Sequence, residues 1–510
     1  MKHLANVVVG QLNTLIAMSG SLIVTPAVLH GLGDAAYGGW LLINSFIGYM
    51  RFLDLGATTG TVKFAAGAQE RGDEEDLASA LNTSAAIFMA VGITALIGTF
   101  ALIGIMPRLY PSIASDQKNV ILMLGGAVAI EMFFRPFVAT LRMRSLYYIY
   151  DVIEIATYST FKFGLVIYCA YTRGLSYETL AFLTLAETLV RLVLVLVASM
   201  VVSPAARHIN PLRARRNMVR KIAGIGVAVS IMLVADIVLF QLDAGVIGYF
   251  MPESPKSIAI FGLGARLASI ANSVIGVIGG VLVPRFSGLS ETNDKEGTRD
   301  LLRSGSRSIG LACALVLGNL FVLGPHFLSL WLKKPWAETS GTILLILLPG
   351  YWLSLLATPS KALLLGRGKL RGLTVFIVTE AIANLVLSVA LVGPLGIIGV
   401  ALGTAIPLAF FHGVFFPMLL KKEIDLAPAE YWRMHAPALG IGAAYVVLIG
   451  GLALVPLETY GRFVELCTGT VLVFAVLVLT FIPEARAELK KRTSRLGRLR
   501  AGKEPKEMSG

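Results

Sequence analysis

Residues 82–106 read NTSAAIFMAVGITALIGTFALIGIM, a stretch without a single charged side chain. A helix that crosses the hydrocarbon core of a bilayer, about 30 Å thick, needs roughly 20 apolar residues, and this stretch supplies them. The whole chain has the same character, because 56% of its 510 residues are hydrophobic, 15% are charged and the mean hydropathy is +0.76. Such a composition supplies too few polar residues to cover the surface of a soluble globular protein, so we predict an all-α integral membrane protein.

Apolar runs bounded by charges or by Gly and Pro divide the sequence into about fourteen membrane-spanning helices. Spans of this number use most of the chain and leave no room for a sizeable soluble domain. The first run is too long for a signal-peptide core and lacks a clean cleavage site, so we expect it to remain as span one. The predicted spans lie near 5–29, 37–62, 82–106, 120–141, 147–170, 180–202, 222–250, 257–283, 309–332, 341–365, 373–392, 395–420, 436–455 and 463–482.

The distribution of basic residues supports this set of spans. Connections on one side, together with the C-terminal tail, hold 31 of the 44 Lys and Arg residues, whereas connections on the other side hold 7. One missed span would invert every later connection, so the bias indicates a consistent topology under the positive-inside rule. Both termini are therefore predicted to be cytoplasmic, and the net charge of +13 reports topology, with no nucleic-acid partner expected.

A weak internal repeat predicts two pseudo-symmetric lobes of six helices each, followed by two C-terminal helices. Residues 61–67 (TVKFAAG) and 283–288 (VPRFSG) end spans two and eight alike, as in transporters built from two parallel lobes. The basic linker at residues 204–221, between the two lobes, is interpreted either as a hinge or as a topogenic loop beside anionic lipid headgroups. The predicted segments are an N-lobe at 1–203, this linker at 204–221, a C-lobe at 222–420, two extra spans at 421–483 and a basic cytoplasmic tail at 484–510.

Enzymatic and metal-binding motifs are missing from the sequence. There is no GxSxG, HExxH or Walker A motif, and Cys169, Cys313 and Cys467 lie singly in apolar runs. The six histidines are also isolated, and His412 in span twelve is interpreted as a packed polar residue. We therefore expect neither catalysis nor a bound metal or cofactor.

Six basic residues lie inside predicted spans, where each costs about 3 kcal/mol unless it is paired or faces water. Arg135 follows Glu131 by four residues, and Arg191 follows Glu187 by four, so each pair is predicted to neutralise itself on one helical face. The sequence identifies no partner for the two lysines. The six are Arg51, Arg135, Lys162, Arg191, Arg266 and Lys361.

Arg51 and Arg266 lie on stripes of polar and small residues. The stripe of span two includes Asn44, that of span eight includes Asn272, and span one carries Gln11 on a comparable face. Such a face turns either toward a water-filled cavity or toward a closely packed neighbouring helix. An arginine without a carboxylate partner favours the cavity.

Three carboxylates are candidates for binding a coupling ion or for gating. Asp236 and Asp243 lie two turns apart in span seven, where they could bind a proton or cation or pair with the two arginines. Asp54 follows Arg51 by three residues and is alternatively its counter-ion, which would weaken the case for a free cationic site. Both interpretations stay open at the level of sequence.

Five short passages resemble a known family. Residues 32–40 (LGDAAYGGW), 52–57 (FLDLGA) and 63–66 (KFAA) resemble the opening of bacterial polysaccharide-repeat flippases of the Wzx type. Residues 384–387 (NLVL) and 396–404 (GIIGVALGT) are similar to the eleventh and twelfth spans of the same family. These flippases belong to the multidrug/oligosaccharidyl-lipid/polysaccharide (MOP) exporter superfamily.

The resemblance implies alternating access between two lobes around a cavity lined by spans one, two, seven and eight. We expect translocation of an undecaprenyl-diphosphate-linked oligosaccharide across the bacterial inner membrane, with membrane lipids, a glycan polymerase and export machinery as further partners. A proton or sodium gradient would drive the cycle. The expected substrate-binding residues are Arg51, Arg266, Asn44, Gln11 and Asn272, and the expected coupling or gating residues are Asp54, Asp236 and Asp243.

Two alternatives remain at this stage. A multidrug and toxin antiporter on the same fold would bind cationic drugs through carboxylates, which keeps the three aspartates relevant to it. A membrane glycan polymerase would need a sizeable outer loop with catalytic groups, whereas every predicted outer connection has about a dozen residues or fewer.

Overall fold

The computed structural model describes residues 2–54, 56–114, 116–224, 239, 241–252, 254–455 and 459–482. Over these ranges the chain is helical and contains no β-strand. Eleven of the described helical segments are long and apolar enough to cross a membrane. Helices satisfy their own backbone hydrogen bonds inside lipid, so this composition and length confirm an all-α membrane protein. The figure of about fourteen spans stays a prediction.

The first part of the chain forms long helices joined by short turns. Arg51–Asp54 is a 3₁₀ turn, and Ser159–Val166 is a π-helical stretch between α7 and α8. The helices are α1 (Lys2–Leu32), α2 (Asp34–Met50), α3 (Ala57–Glu70), α4 (Glu74–Leu109), α5 (Pro111–Ala114), α6 (Lys118–Met143), α7 (Tyr147–Tyr158), α8 (Ile167–Thr172) and α9 (Tyr177–Val202).

The second part begins with two 3₁₀ turns, Pro204–His208 and Pro211–Arg213, and a helix over residues 216–224. A second π-helical stretch, Phe411–Phe415, precedes α17. The helices are α10 (Asp243–Phe250), α11 (Pro255–Gly280), α12 (Leu282–Glu291), α13 (Lys295–Leu332), α14 (Ala337–Leu356), α15 (Thr358–Gly366), α16 (Leu370–Phe410), α17 (Phe416–Ile424), α18 (Pro428–Gly450) and α19 (Tyr460–Phe481).

The predicted continuous span at residues 37–62 is wrong, because the helix breaks between α2 and α3. Gly56 has φ 71°, a left-handed conformation that glycine adopts without steric penalty. The carboxylate of Asp54 accepts hydrogen bonds from the backbone and hydroxyl of Thr58, at 2.9 and 2.7 Å, and so stabilises the start of α3. The polar stripe predicted for span two through Asn44 and Arg51 therefore does not continue into α3.

Helix α16 contains a comparable break that the sequence did place correctly. Gly396 has φ 59° and separates two helical halves, close to the predicted boundary between spans eleven and twelve. The halves pack closely, since a Cβ atom at Gly403 would overlap the side chain of Ser388. Small residues allow this approach between membrane helices.

The chain divides into two compact units. Unit 1 comprises residues 1–266 and 370–408, and unit 2 comprises residues 267–369 and 409–510. In unit 1, α6 packs between α4 and α9, and a Cβ atom at Gly125 on α6 would overlap Thr99 on α4. In unit 2, α13 packs against α14 and α18. The lobe boundaries derived from the sequence stay predictions.

Candidate functional site

Arg51 lies in the 3₁₀ turn at the break between α2 and α3. Its side chain is 55% exposed, and its Nε atom is 3.9 Å from Oε2 of Glu131 on α6. This distance is at the outer limit of an ion pair, and exposed pairs of this kind hold their partners weakly. Arg51 is thus both accessible and loosely held.

Glu131 is the centre of a network of guanidinium groups in unit 1. Its Oε1 atom accepts a hydrogen bond from Nη2 of Arg135 at 2.9 Å, and its Oε2 atom lies 3.6 Å from Nη2 of Arg191. Arg191 also contacts Glu154 at 3.5 Å. Three guanidinium groups, including that of Arg51, therefore contact two carboxylates. We call the one positive charge in excess among these five groups the positive surplus. We assign it to Arg51, because Arg51 makes the longest contact of the three arginines and has the most exposed side chain.

The predicted pairing of Arg135 with Glu131 is confirmed, whereas that of Arg191 with Glu187 needs correction. Glu187 contacts Nζ of Lys162 at 3.5 Å, and Lys162 also donates a hydrogen bond to Oγ1 of Thr184 at 3.0 Å. Arg191 instead reaches across to α6 and α7. The reason is geometric: neighbouring helices offer carboxylates at the same depth, and the sequence spacing cannot reveal them.

Helix α1 also contacts this network, through Asn13. Asn13 donates a hydrogen bond to Oε2 of Glu154 at 2.8 Å and lies 3.5 Å from Oδ1 of Asp151. Sequence reasoning missed Asn13 and the contacts of Glu154 with Asn13 and Arg191, because no periodic signal relates residues on different helices, such as Asn13 and Glu154 about 140 positions apart. The one signal that sequence offered was the spacing of four between Glu131 and Arg135.

Arg266 lies on α11 with an exposed side chain. Its charge acts on the phenol groups of Tyr37 on α2 and Tyr158 on α7. Over the described ranges it makes no ion pair with a carboxylate. Arg51 and Arg266 both belong to unit 1, so the structure places the two predicted cations in one compact body.

The other predicted substrate-binding residues are placed as follows. Asn44 donates a hydrogen bond to the carbonyl of Trp40 one turn earlier on α2, at 2.9 Å. Gln11 is exposed on α1, and Asn272 is half-buried on α11. No hydrogen bond within the described ranges joins these side chains to either arginine. Their assignment to a site stays a prediction.

The predicted coupling carboxylates differ in their surroundings. Asp54 is bound by Thr58, and Arg51 contacts Glu131 instead of Asp54. Asp236 lies outside the described residues. Asp243, at the start of α10, is buried and accepts a long hydrogen bond from Oγ1 of Thr404, at 3.4 Å.

Two further polar side chains lie buried on the first half of α16. Asn384 and Ser388 are each 1% exposed, and Nδ2 of Asn384 and Oγ of Ser388 have no hydrogen-bond partner among the residues that the structure describes. Ser388 packs against Gly403, the residue before Thr404. Asp243 is therefore next to a region with unused polar groups, which is costly for a membrane interior unless a ligand or ion occupies it.

A comparison with families of known proteins matches more than half of the chain. The family model described as polysaccharide biosynthesis protein covers residues 45–341. A search of curated protein sequences found no significant match.

Solved structures similar to this chain are transporters. An inward-facing multidrug resistance MATE family transporter of the MOP superfamily matches with a TM-score of 0.69 and 16% identity, over 80% of this chain and 95% of its own. The lipid II flippase MurJ, in an inward closed conformation, matches with a TM-score of 0.66 and 12% identity, over 93% and 99%. A MOP superfamily transporter from Pyrococcus furiosus matches with a TM-score of 0.60 and 17% identity, over 82% and 96%. At these identities the matches establish the fold.

Proposed function

Because the chain belongs to the family of polysaccharide biosynthesis proteins, we propose that it is a flippase for an undecaprenyl-diphosphate-linked oligosaccharide. Its resemblance to flippases of the MOP superfamily is confirmed by the family match and by the fold. The solved structures that share this fold are transporters and a flippase, not enzymes. A membrane glycan polymerase therefore has no support.

The observation that carries the proposal is the positive surplus at Arg51. A diphosphate bears about two negative charges and cannot cross hydrocarbon alone, whereas guanidinium groups bind phosphate oxygens through paired charge-assisted hydrogen bonds. Arg51 is 55% exposed and only 3.9 Å from its carboxylate, so it can exchange that partner for a phosphate. Arg266, which has no carboxylate partner over the described ranges, is the second phosphate ligand in this proposal.

Glu131 acts in this scheme as a counter-ion for the empty transporter. Before substrate binds, its carboxylate contacts Arg51, Arg135 and Arg191. When a diphosphate takes Arg51, Glu131 stays neutralised by the other two guanidinium groups, at 2.9 and 3.6 Å. Substrate release then restores the contact with Arg51. The network thus lets one arginine change partners without leaving an unpaired buried carboxylate.

The amide side chains have a separate role in the proposal. Asn44, Gln11 and Asn272 supply hydrogen bonds to the diphosphate or to sugar hydroxyl groups. Gln11 is exposed on α1, and Asn44 keeps its carbonyl oxygen available because only its amide group is used in the helix. Amides suit this task, since they both donate and accept.

A proton or sodium gradient drives the cycle in our proposal, with Asp243 as the coupling site. Asp243 is buried beside the hydroxyl of Thr404, and within the described part of the chain Oγ of Ser388 and Nδ2 of Asn384 have no hydrogen-bond partner. A bound cation would take the carboxylate of Asp243 and the hydroxyl oxygens of Thr404 and Ser388 as ligands. Nδ2 of Asn384 is a donor and does not belong to that ligand set. Asp54 is less suited, because Thr58 occupies its carboxylate. Asp236 stays a candidate from its sequence position.

We further propose the bacterial inner membrane as the location, with both termini in the cytoplasm, as the distribution of basic residues favours. The lipid tail of the substrate stays in the bilayer throughout the cycle. A glycan polymerase and export machinery would consume the translocated repeat unit on the outer side.

A multidrug and toxin cation antiporter is the second candidate, because a MATE family transporter shares the fold with a TM-score of 0.69. A site for cationic drugs requires a surplus of carboxylates. The direct contacts of Glu131 have the opposite balance, with three guanidinium groups around one carboxylate, and the neighbouring pair of Lys162 and Glu187 is neutral. Uptake of a cationic dye into inverted vesicles would support the antiporter instead.

The proposal is tested by Arg51→Ala and Arg266→Ala in the bacterium that carries the gene. Both variants are expected to reach the membrane, to stop display of surface glycan and to accumulate lipid-linked repeat units inside the cell. Arg173→Ala is the matched control, because Arg173 is an exposed arginine of a short connection. Normal surface glycan in both variants would reject the flippase assignment.

A further inference from the structure

The basic linker between α9 and residue 216 is fixed to the start of α4. Oδ1 of Asn82 accepts a hydrogen bond from the backbone of Asn210 at 2.7 Å, and Oγ1 of Thr83 accepts one from the backbone of Arg215 at 3.1 Å. Arg215 also forms an ion pair with Glu75. The two backbone anchors bracket residues 211–214, so this short segment is held in place and cannot move freely as a tether.

These anchors set the depth of the linker. Helix α4 has 36 residues, a length of about 54 Å, whereas the hydrocarbon core is about 30 Å thick. The first turns of α4, with three acidic residues, must therefore project into water. Asn82 and Thr83 lie about 12 Å along the helix from Glu74 and within two turns of Asp76, the last acidic residue of these first turns. The linker consequently runs at the level of the membrane interface.

The exposed surface of the linker is both apolar and basic. Leu212 is 88% exposed, and Val201 at the end of α9 is 72% exposed. Among the neighbouring cations, Arg215 has a carboxylate partner within the described ranges, and the others have none. The exposed cations around Leu212 are Arg207, Arg213, Arg215, Arg216, Arg220 and Lys221.

We propose that this linker is a lipid-binding surface, in which Leu212 inserts between lipids and the surrounding arginines bind anionic phospholipid headgroups. Charge complementarity and depth both select this partner. An exposed leucine at the interface gains by entering the acyl region, and guanidinium groups at the same level contact lipid phosphates. An acidic protein would match the charge, but it would not account for an apolar tip fixed at the height of the lipid interface.

The proposal is tested by placing an environment-sensitive fluorophore at Leu212→Cys in a full-length chain whose Cys169, Cys313 and Cys467 are replaced by Ala. The protein is studied in nanodiscs of phosphatidylcholine alone or mixed with phosphatidylglycerol, with a spin-labelled lipid as quencher. We expect a blue shift and strong quenching in the anionic nanodiscs. The triple variant Arg213→Gln, Arg216→Gln and Arg220→Gln should lose most of both signals.

The matched control is Thr292→Cys, an exposed position in the turn between α12 and α13. Its fluorophore is expected to stay water-exposed in both kinds of nanodisc. Equal spectra at Leu212→Cys with and without phosphatidylglycerol would overturn the assignment to anionic lipid. A Leu212 label that stays water-exposed in all nanodiscs, yet is shielded by an added acidic protein, would also overturn it. Unchanged thermal unfolding of the labelled proteins shows that each one is folded.

Discussion

Each of the two units contains a polar side chain that contacts several other polar side chains, which we call its hub, and the two hubs differ in chemistry. In unit 1 the hub is Glu131, which contacts three arginines. In unit 2 the hub is Asn319, whose amide group donates to the carbonyl of Leu315 at 2.8 Å and to the hydroxyl of Tyr445 at 2.7 Å. Its carbonyl accepts from Thr470 at 2.7 Å.

The two hubs differ in net charge and in whether they leave a group that can bind a ligand. Asn319 uses both amide hydrogens and its carbonyl, and it sits in an apolar cluster that includes Tyr445 and Phe474. That network is neutral and satisfied, so it stabilises packing and offers nothing to a ligand. Glu131 leaves a positive surplus at Arg51. Charge at membrane depth is expensive, and in the proposed function the surplus at Arg51 is the charge that meets the anionic substrate.

The largest expected effect on stability follows from Glu131→Gln. This change leaves Arg135 and Arg191 partly buried without their shared carboxylate, and breaking such a pair costs about 3–5 kcal/mol. We expect a clear fall in the thermal unfolding temperature in detergent micelles. Glu465→Gln, an exposed position on α19, should leave it unchanged. Equal unfolding temperatures for the two variants would show that the network around Glu131 is not a structural hub.

A smaller loss is expected for the neutral hub. Asn319→Ala removes the hydrogen bonds to the hydroxyl groups of Tyr445 and Thr470, which costs about 1–3 kcal/mol although Thr470 keeps the carbonyl of Cys467 as an acceptor at 2.8 Å. The measurement is again thermal unfolding, with exposed Asn119→Ala as the control. A larger loss for Asn319→Ala than for Glu131→Gln would reverse the ranking of the two hubs.

Arg51→Ala should change stability by less than about 1 kcal/mol. Its side chain is 55% exposed and its ion pair is 3.9 Å long, so solvent screens most of the interaction. Its unfolding temperature should match that of the wild type and of Arg51→Lys. A loss as large as that of Glu131→Gln would mean that Arg51 is a structural residue and not a substrate ligand.

The smallest effect is expected for His435→Phe in unit 2. His435 is fully buried, and its two ring nitrogens have no hydrogen-bond partner over the described ranges. Its ring packs edge-on against Tyr431 at 4.6 Å between centroids. Phenylalanine keeps the aromatic contact and removes two unpaired polar atoms, so stability should stay within about 1 kcal/mol of the wild type or rise. A strong loss of stability would show that the imidazole has a polar partner in the folded protein.

The fold was predictable to the extent that it depends on apolar length. Charge-free runs such as residues 82–106 predict helices that the structure contains, and the kink at Gly396 falls near a predicted boundary. The break after Arg51 was not predicted, because Gly56 is one of five glycines in residues 37–62 and the sequence does not single it out. Only the backbone of Gly56, at φ 71°, and the capping contact of Asp54 reveal it.

The candidate site was predictable in its residue types more than in its contacts. The cost of burying charge singled out Arg51, Arg135, Lys162 and Arg191, and the spacing of four identified one of their pairs correctly. Contacts between helices, such as Glu187 with Lys162, depend on the depth and rotation of each helix. Those quantities follow from packing over the whole unit, which no local pattern encodes.

The most direct test of the proposed function is translocation of a fluorescent undecaprenyl-diphosphate oligosaccharide by the purified protein in proteoliposomes. Loss of a charge-assisted contact of about 1.5–3 kcal/mol should slow Arg51→Ala by roughly tenfold to a hundredfold relative to the wild type. Its thermal unfolding should be unchanged, and Arg173→Ala should translocate at the wild-type rate. An Arg51→Ala protein that translocates the lipid as fast as the wild type would contradict the assignment of the positive surplus in unit 1 to the substrate.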